Sequence, residues 1–147
     1  MNFMEIAIEE AKKAYSNNEV PVGAVIVKDN RIIARGYNLV EMKKSSIYHA
    51  EIIAIKKAQK FLNNWRLNDC IMYVTVEPCL MCTGAIINSR IKKVVFALKE
   101  EKFGAIISKI KINNYKFNHS FQYEISDEYS KEVRNLMQLF FQNKRSS

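Results

Sequence analysis

The sequence contains few of the residues that mark specialised folds. Its 147 residues include only 2 prolines and 4 glycines, which excludes collagen-like chains and Pro/Gly-rich disordered chains. The 3 cysteines are too few for a disulfide scaffold, and a close cysteine pair in a reducing compartment favours metal binding or catalysis. The longest stretch without a charge covers residues 78–89, shorter than the ~18 residues of a membrane-spanning helix. We therefore expect no membrane segment.

The N-terminal segment lacks the apolar core of a secretory signal. Glu5, Glu9 and Glu10 interrupt the first thirteen residues, where an export signal would be apolar. We therefore expect a cytoplasmic location. Hydrophobic residues make up 48% and charged residues 26% of the chain, as in an ordinary globular protein. The length suits one domain that spans residues 1–147.

The charge of the chain is strongly basic. Its 23 basic and 15 acidic residues give a net charge of +8, which fits a polyanionic partner. Lysine, asparagine and isoleucine are all abundant and all have A/T-rich codons, so compositional drift is an alternative source of the charge. Residues 90–116 alone hold eight basic and two acidic residues, a net charge of +6. Such clustering favours phosphate binding over a merely solvated lysine-rich face.

Hydrophobic periodicity predicts strands that alternate with helices. The predicted helices cover residues 4–15, 50–62, 79–88 and a last segment that Ser126 would cap. The predicted strands cover residues 22–27, 32–38, 70–76, 94–98 and 121–125, of which the first two form a hairpin and the last lies at an edge. Residues 39–48 are expected to form a loop, and residues 99–120 fit neither pattern.

This order of elements predicts an α/β fold. A sheet covered by helices on both faces, with mostly parallel later strands, accommodates strands and helices that alternate along the chain. The residues expected in its core include Val25, Ile55, Val74 and Leu136.

Two short motifs supply side chains that bind metals. His49 and Glu51 belong to His-Ala-Glu, and Cys79 and Cys82 belong to Pro-Cys-Leu-Met-Cys. Either motif alone is weak, because His-x-Glu is common at helix starts and Cys-x-x-Cys also occurs in redox pairs. Two cysteines three positions apart at a helix start share one face, and the helix dipole there favours thiolates. With His49 at the start of another helix, the motifs together predict a zinc site formed by His49, Cys79 and Cys82.

The number of ligands favours a catalytic zinc over a structural one. Structural sites use four protein ligands, whereas catalytic sites use three and keep a position for water. Cys70 and His119 are the remaining candidates for a fourth ligand, but we expect Cys70 to be a buried hydrophobe and His119 to face solvent or substrate. Glu51 can then take a proton from the activated water and deliver it to a leaving group. A carboxylate that merely stabilises the helix start is the alternative role for Glu51.

The pattern His-x-Glu…Pro-Cys-x-x-Cys is the established signature of zinc-dependent nucleobase deaminases. Over nearly its whole length the sequence resembles the bacterial tRNA-specific adenosine deaminases. The segments that carry this resemblance are EVPVGAVIVKDN (19–30), GYN (36–38), HAEIIAI (49–55), WRL (65–67), MYVTVEPCLMCTGAI (72–86), SRIKKVVF (89–96) and FNH (117–119). The zinc motif also occurs in cytidine, cytosine and guanine deaminases, whereas EVPVGAV, TVEPCLMC and SRIKKVVF together are much more specific.

The resemblance implies a fold and an activity. The implied fold is a three-layer α/β/α sandwich with a five-stranded mixed sheet, of the cytidine-deaminase-like type. The implied protein is a homodimer with one Zn²⁺ per chain, which contacts tRNA through both subunits and converts adenosine to inosine at the anticodon wobble position. The implied site residues are the zinc ligands His49, Cys79 and Cys82, the proton shuttle Glu51, and the substrate contacts Asn38, Val22 and Ala50.

The sequence departs from the family pattern at a few positions, and two other functions stay open. Residues 45–48 differ from the usual run before the histidine, and Glu100 and Phe103 occupy positions where Asp and a small residue are usual. The first alternative is a deaminase of a free base or nucleoside, of the cytosine or guanine type. The second is a non-catalytic, zinc-stabilised RNA-binding module. Glu51 argues against that module, and the basic stretch favours RNA over a small neutral substrate.

Overall fold

The computed structural model describes residues 2–146, with side chains up to Lys144. The helices in this range are α1 (Phe3–Ser16), α2 (Val40–Lys43), α3 (Ala50–Leu62), α4 (Leu80–Asn88) and α5 (Ser130–Ser146). The strands are β1 (Gly23–Lys28), β2 (Arg31–Tyr37), β3 (Ile71–Val76), β4 (Lys93–Leu98) and β5 (Gln122–Ile125). None of these helices combines the length and the apolar character needed to cross a bilayer.

Most predicted elements lie within one or two residues of their observed bounds, and the exceptions are short. The expected loop 39–48 contains the single turn of α2. Within the unassigned residues 99–120, the structure has one 3₁₀ turn, Ile112–Asn114. The prediction that Ser126 caps the last helix is wrong. Its side chain makes no capping hydrogen bond, and a 3₁₀ turn at Asp127–Tyr129 precedes α5.

The five strands form one mixed sheet in the order β2-β1-β3-β4-β5. β1 runs antiparallel to both β2 and β3, whereas β3, β4 and β5 are mutually parallel. The sheet therefore confirms both the predicted hairpin and the predicted parallel later strands. β5 lies at an edge, as expected.

Strand side chains alternate between two hydrophobic cores, one on each face of the sheet. Ala24 and Ile26 of β1 pack on the face covered by α3 and α4. Val25 and Val27 pack on the opposite face with α1 and α5. This period of two places successive strand residues on opposite faces, and it confirms the three-layer α/β/α sandwich. Of the predicted core residues, Val25, Ile55 and Val74 are buried, whereas Leu136 is only half-buried.

A glycine in β2 brings α3 unusually close to the sheet. A Cβ added to Gly36 would lie 2.6 Å from the carbonyl oxygen of Ala50, at the start of α3. Only a residue without a side chain permits this approach. Gly36 therefore helps to fix the end of α3 that begins next to His49.

Candidate active site

The candidate metal ligands lie where two helices begin, beside the carboxyl end of β3. His49 directly precedes α3 and Cys79 directly precedes α4. Neither side chain caps its own helix. Cys82 lies in the first turn of α4 and is fully buried. The short connection from β3 to α4 therefore places both cysteines opposite His49.

The three side chains converge on one point. Their ligand atoms all lie within 4.8 Å of one another, the only such His/Cys/Asp/Glu cluster of three or more among the residues described. Nδ1 of His49 lies 3.6 Å from Sγ of Cys79 and 3.5 Å from Sγ of Cys82. Tetrahedral coordination with Zn–N and Zn–S bonds of about 2.0 and 2.3 Å requires an N···S separation of about 3.5 Å. One imidazole and two thiols at this spacing fit zinc.

Contacts among the three ligands set their proton affinities. The hydrogen bond between the two cysteines lowers the pKa of Cys79 to about 4 and raises the pKa of Cys82. The pKa of His49 is raised, chiefly by its hydrogen bond to Cys79. Metal ligands bind as thiolates, so a cation that binds both sulfurs must displace the protons they hold.

Glu51 lies beside this cluster, in the first turn of α3. Its side chain is buried, with 3% of its surface exposed. Burial is the main effect on its acidity and raises its pKa to about 7. A carboxyl group with a pKa near neutrality can both accept and donate a proton, which is what a general acid/base requires.

The cluster opens into a cavity of about 480 Å³, a size typical of small-molecule sites. His49, Glu51 and Cys79 form its polar side. Its other walls are formed by residues 18–22, by residues 38–41 around the start of α2, by the segment after β4 and by α5. The residues of these walls include Val22, Asn38, Val40, Glu100, Phe103, Met137 and Phe141.

Of the predicted substrate contacts, Asn38 and Val22 line this cavity. Asn38 is buried, and its Oδ1 accepts a hydrogen bond of 2.8 Å from the backbone N–H of Ala50. The Ala50 side chain is fully buried and is not among the lining residues. Ala50 thus contributes by orienting Asn38 through its backbone.

The two side chains considered as fourth ligands lie elsewhere. Cys70 is fully buried in the core formed with α3 and α4, as expected for a small hydrophobe. Nε2 of His119 lies 2.8 Å from the carbonyl oxygen of Ile91, in a polar pocket that contains none of the metal cluster. The three-ligand arrangement is therefore the one that the described residues provide.

Sequence reasoning did not identify two buried carboxylates in the cavity wall. Glu19 is 1% exposed and accepts hydrogen bonds from the N–H groups of Glu41 and Met42, at 3.0 and 2.8 Å. Glu77 is 3% exposed. Burial acts to raise the pKa of Glu77, but hydrogen bonds from Ile107 and neighbouring groups outweigh it and leave that pKa lowered. The sequence feature that could have indicated them is a single acidic residue at the edge of an apolar segment. Glu19 begins EVPVGAV, and Glu77 lies in TVEPC.

Comparison with known proteins relates the chain to deaminases. Residues 1–145 match the family model of MafB19-like deaminases. The chain is 40% identical over 146 residues to a tRNA-specific adenosine deaminase from Aquifex aeolicus, covering 99% of this chain and 95% of that protein.

Two solved structures show the same fold. One, from a study of A-to-I editing by tRNA:A34 deaminases at the wobble position of transfer RNA, has a TM-score of 0.86 and 35% identity, covering 91% of this chain and 97% of that one. A guanine deaminase from Bacillus subtilis has a TM-score of 0.65 and 34% identity, covering 92% and 95%.

The fold and the site define a hydrolytic deaminase of the cytidine-deaminase-like class. A His/Cys/Cys cluster with a buried glutamate beside it is the arrangement such enzymes use. Within that class, the chain belongs to the family of tRNA-specific adenosine deaminases.

Proposed function

We propose that this chain, as a single domain over residues 1–147, deaminates adenosine to inosine at the wobble position of a tRNA anticodon. One zinc ion per chain, bound by His49, Cys79 and Cys82, would serve the reaction. The observation that carries the proposal is the buried Glu51 beside this cluster, on the wall of a cavity, in a chain of this family. Because the substrate is a tRNA, we also propose that the enzyme acts in the cytoplasm.

Hydrolytic deamination requires a nucleophile and a proton carrier. When bound, zinc supplies a Lewis acid that lowers the pKa of a coordinated water to about 7. Glu51 takes a proton from the attacking water and delivers protons to the purine ring and to the amino group, which leaves as ammonia. Its burial keeps bulk water from competing for these protons. Water and adenosine are thus converted to inosine and ammonia, with Glu51 returned to its starting state.

The cavity must hold the target nucleoside with its reactive carbon facing the metal cluster. Asn38 provides a polar group on the cavity wall, and its orientation is fixed by the hydrogen bond from the Ala50 N–H. Val22 provides apolar contact for the purine. We therefore assign substrate contact to the side chains of Asn38 and Val22, and an orienting role to Ala50.

An RNA substrate explains the distribution of charge. A base must leave its stack to enter the cavity, at a cost of a few kcal/mol that is smallest in an open loop. The basic segment 90–116 includes Glu100 and Phe103 on the cavity wall. Lys99, Lys102 and Lys109 in this segment are exposed. They can bind phosphates while the target adenosine of an anticodon stem-loop occupies the cavity.

We further propose that two chains associate through the outer face of α4. Leu80 and Met81 expose 56% and 36% of their surface on this helix. A Cβ added to Gly84 would meet nothing within 4 Å, so a second chain can approach closely there. Ile86 of the same helix is fully buried, so it does not belong to this face. Light scattering should give twice the single-chain mass of 17.1 kDa, and a 17.1 kDa species at micromolar concentration would contradict the dimer.

One assay tests the substrate. Inosine formation on an adenosine-bearing anticodon stem-loop should be efficient, and activity on free adenosine should be low. The alternative, a free-base deaminase, is favoured by the similarity to the Bacillus subtilis guanine deaminase. Ammonia release from free guanine or cytosine, measured beside the stem-loop reaction, decides between the two. Efficient turnover of a free base with none of the stem-loop would overturn the tRNA proposal.

A further inference from the structure

Glu77 accepts five hydrogen bonds, all from residues 100–108. Its Oε2 accepts from the N–H groups of Ile106, Ile107 and Ser108, at 3.0, 2.8 and 3.0 Å. Its Oε1 accepts from the N–H of Glu100 at 3.1 Å and from the Ser108 hydroxyl. Successive backbone N–H groups that converge on one anion form a nest. The carboxylate of Glu77 therefore organises residues 100–108, which we call the wall loop.

The wall loop packs against the segment that holds the candidate metal ligand Cys79. The N–H of Ala105 donates to the carbonyl oxygen of Pro78 at 2.9 Å, and Gly104 forms a β-bridge with Cys79. A Cβ added to Gly104 would lie 2.4 Å from Cδ of Glu77, so the loop closes around the carboxylate without space for a side chain. The position of the loop thus depends on contacts with Glu77 and with the residues next to it.

The other side of the wall loop faces the substrate cavity. Glu100 and Phe103 both line it. Phe103 is 68% exposed, so its ring is accessible to a ligand. Exposed aromatic rings at the edge of a nucleic-acid site stack on unpaired bases. A rigid loop would hold this ring ready for a base and reduce the entropy that binding must overcome.

We propose that Glu77 is a positioning residue that holds the wall loop so that Phe103 stacks on the RNA nucleotide next to the edited adenosine. In this role Glu77 acts through the wall loop and not through the reacting atoms, because both of its carboxylate oxygens accept hydrogen bonds from that loop. The inference rests on the proposed function, since it requires a nucleic acid substrate with an unpaired neighbouring base.

Kinetics on the anticodon stem-loop test the proposal. Glu77→Gln replaces one acceptor oxygen by an NH₂ group that faces N–H donors, so the wall loop loses its fixed position. We expect KM to rise about tenfold or more, the scale of one lost base stack, while kcat changes by less than about threefold. Phe103→Ala should raise KM similarly. The double variant should be no worse than the worse single variant, because Glu77 acts through Phe103.

Additive effects of the two substitutions on KM would overturn the proposal, because a general structural role of Glu77 predicts additivity. Loss of zinc from Glu77→Gln would also overturn it, since Glu77 would then support the metal site. Ser108→Ala removes only the hydroxyl contact and should give a smaller rise in KM. An unchanged KM in Ser108→Ala, together with an unfolded Glu77→Gln, would count against the proposal. Glu10→Gln, a buried acid of α1 paired with Lys13, is the matched control and should leave KM unchanged.

Amide hydrogen exchange separates this proposal from the substrate assignment. In the unsubstituted protein, the N–H groups of Ile106, Ile107 and Ser108 should be protected from exchange with solvent. They should exchange faster in Glu77→Gln, while amides of β3 stay protected. This result is expected even if the stem-loop is not the substrate, so failure of the tRNA assignment leaves it standing. Unchanged exchange of all three amides would show that Glu77 does not hold the wall loop.

Discussion

Replacing Glu51 by glutamine tests the central chemical assignment. The amide has the same shape as the carboxyl group, so the buried side chain should keep its packing and leave no void. It cannot take a proton from water. Because Glu51 is 3% exposed, bulk solvent cannot easily replace it as a proton carrier. The fold and the zinc content should therefore be retained while turnover is nearly lost.

The expected loss of turnover in Glu51→Gln follows from the role of Glu51 as a general acid/base. A general acid/base contributes roughly 10²–10⁴-fold, which corresponds to about 3–5 kcal/mol of activation free energy. Glu51 serves several proton transfers in succession. We therefore expect Glu51→Gln to lower kcat by about 10⁴-fold or more, the upper end of this range. Glu51→Asp withdraws the carboxylate by one methylene and should give an intermediate loss.

Single-turnover inosine formation on an anticodon stem-loop, with enzyme in excess, measures this step without product release. Metal analysis and thermal unfolding of the same samples provide the controls. A rate within about threefold of the original enzyme, far below the 10²-fold minimum of a general acid/base, would remove Glu51 from the mechanism. Loss of zinc from Glu51→Gln would instead show that the carboxylate is a metal ligand.

Three further predictions concern the metal, the RNA and the fold. Cys82→Ala should lose zinc, whereas Cys70→Ala should keep it; metal analysis of the purified variants that shows the reverse would contradict the ligand assignment. Lys109→Ala and Lys111→Ala should flatten the dependence of log K on log salt for the stem-loop, by about 0.7 per lost phosphate contact, with zinc content unchanged. Gly36→Ala should destabilise the protein by about 1–3 kcal/mol in urea unfolding, because the added Cβ would lie 2.6 Å from a carbonyl oxygen of α3. Unchanged stability of Gly36→Ala would mean that α3 can move away from β2 without loss of packing.

The metal cluster could be predicted from the sequence because its geometry is local. Cys79 and Cys82 are three positions apart at the start of α4, a spacing that shares one helix face, and His49 and Glu51 both belong to the start of α3. For these four side chains, the tertiary fold is required only to bring the two helix starts together. The alternation of strands and helices already implied the sheet that brings them together.

The walls of the cavity could not be predicted, because they depend on contacts between distant segments. Glu77 accepts hydrogen bonds from residues that lie 23 to 31 positions further along the chain. That stretch has neither helical nor strand periodicity. Met137 and Phe141 belong to the apolar stripe of α5, which resembles any stripe that packs on a core. The structure places both residues on the cavity wall, and Met137 also packs against the core on the α1 face of the sheet. An apolar pattern alone cannot distinguish a core residue from one that contacts a ligand.

The type of reaction depends on the local motifs, whereas the choice of substrate depends on contacts between distant segments. The signature formed by His49, Glu51, Cys79 and Cys82 serves adenine and cytosine deaminases alike, so it defines the reaction but not the base. Selection of the substrate must therefore come from the residues that surround this signature. Here these residues belong to the wall loop with Phe103, to the basic segment that contains it and to the end of α5. Phe103 lines the cavity and is largely exposed, so in this chain we expect an aromatic ring to contact the neighbouring nucleotide during the reaction.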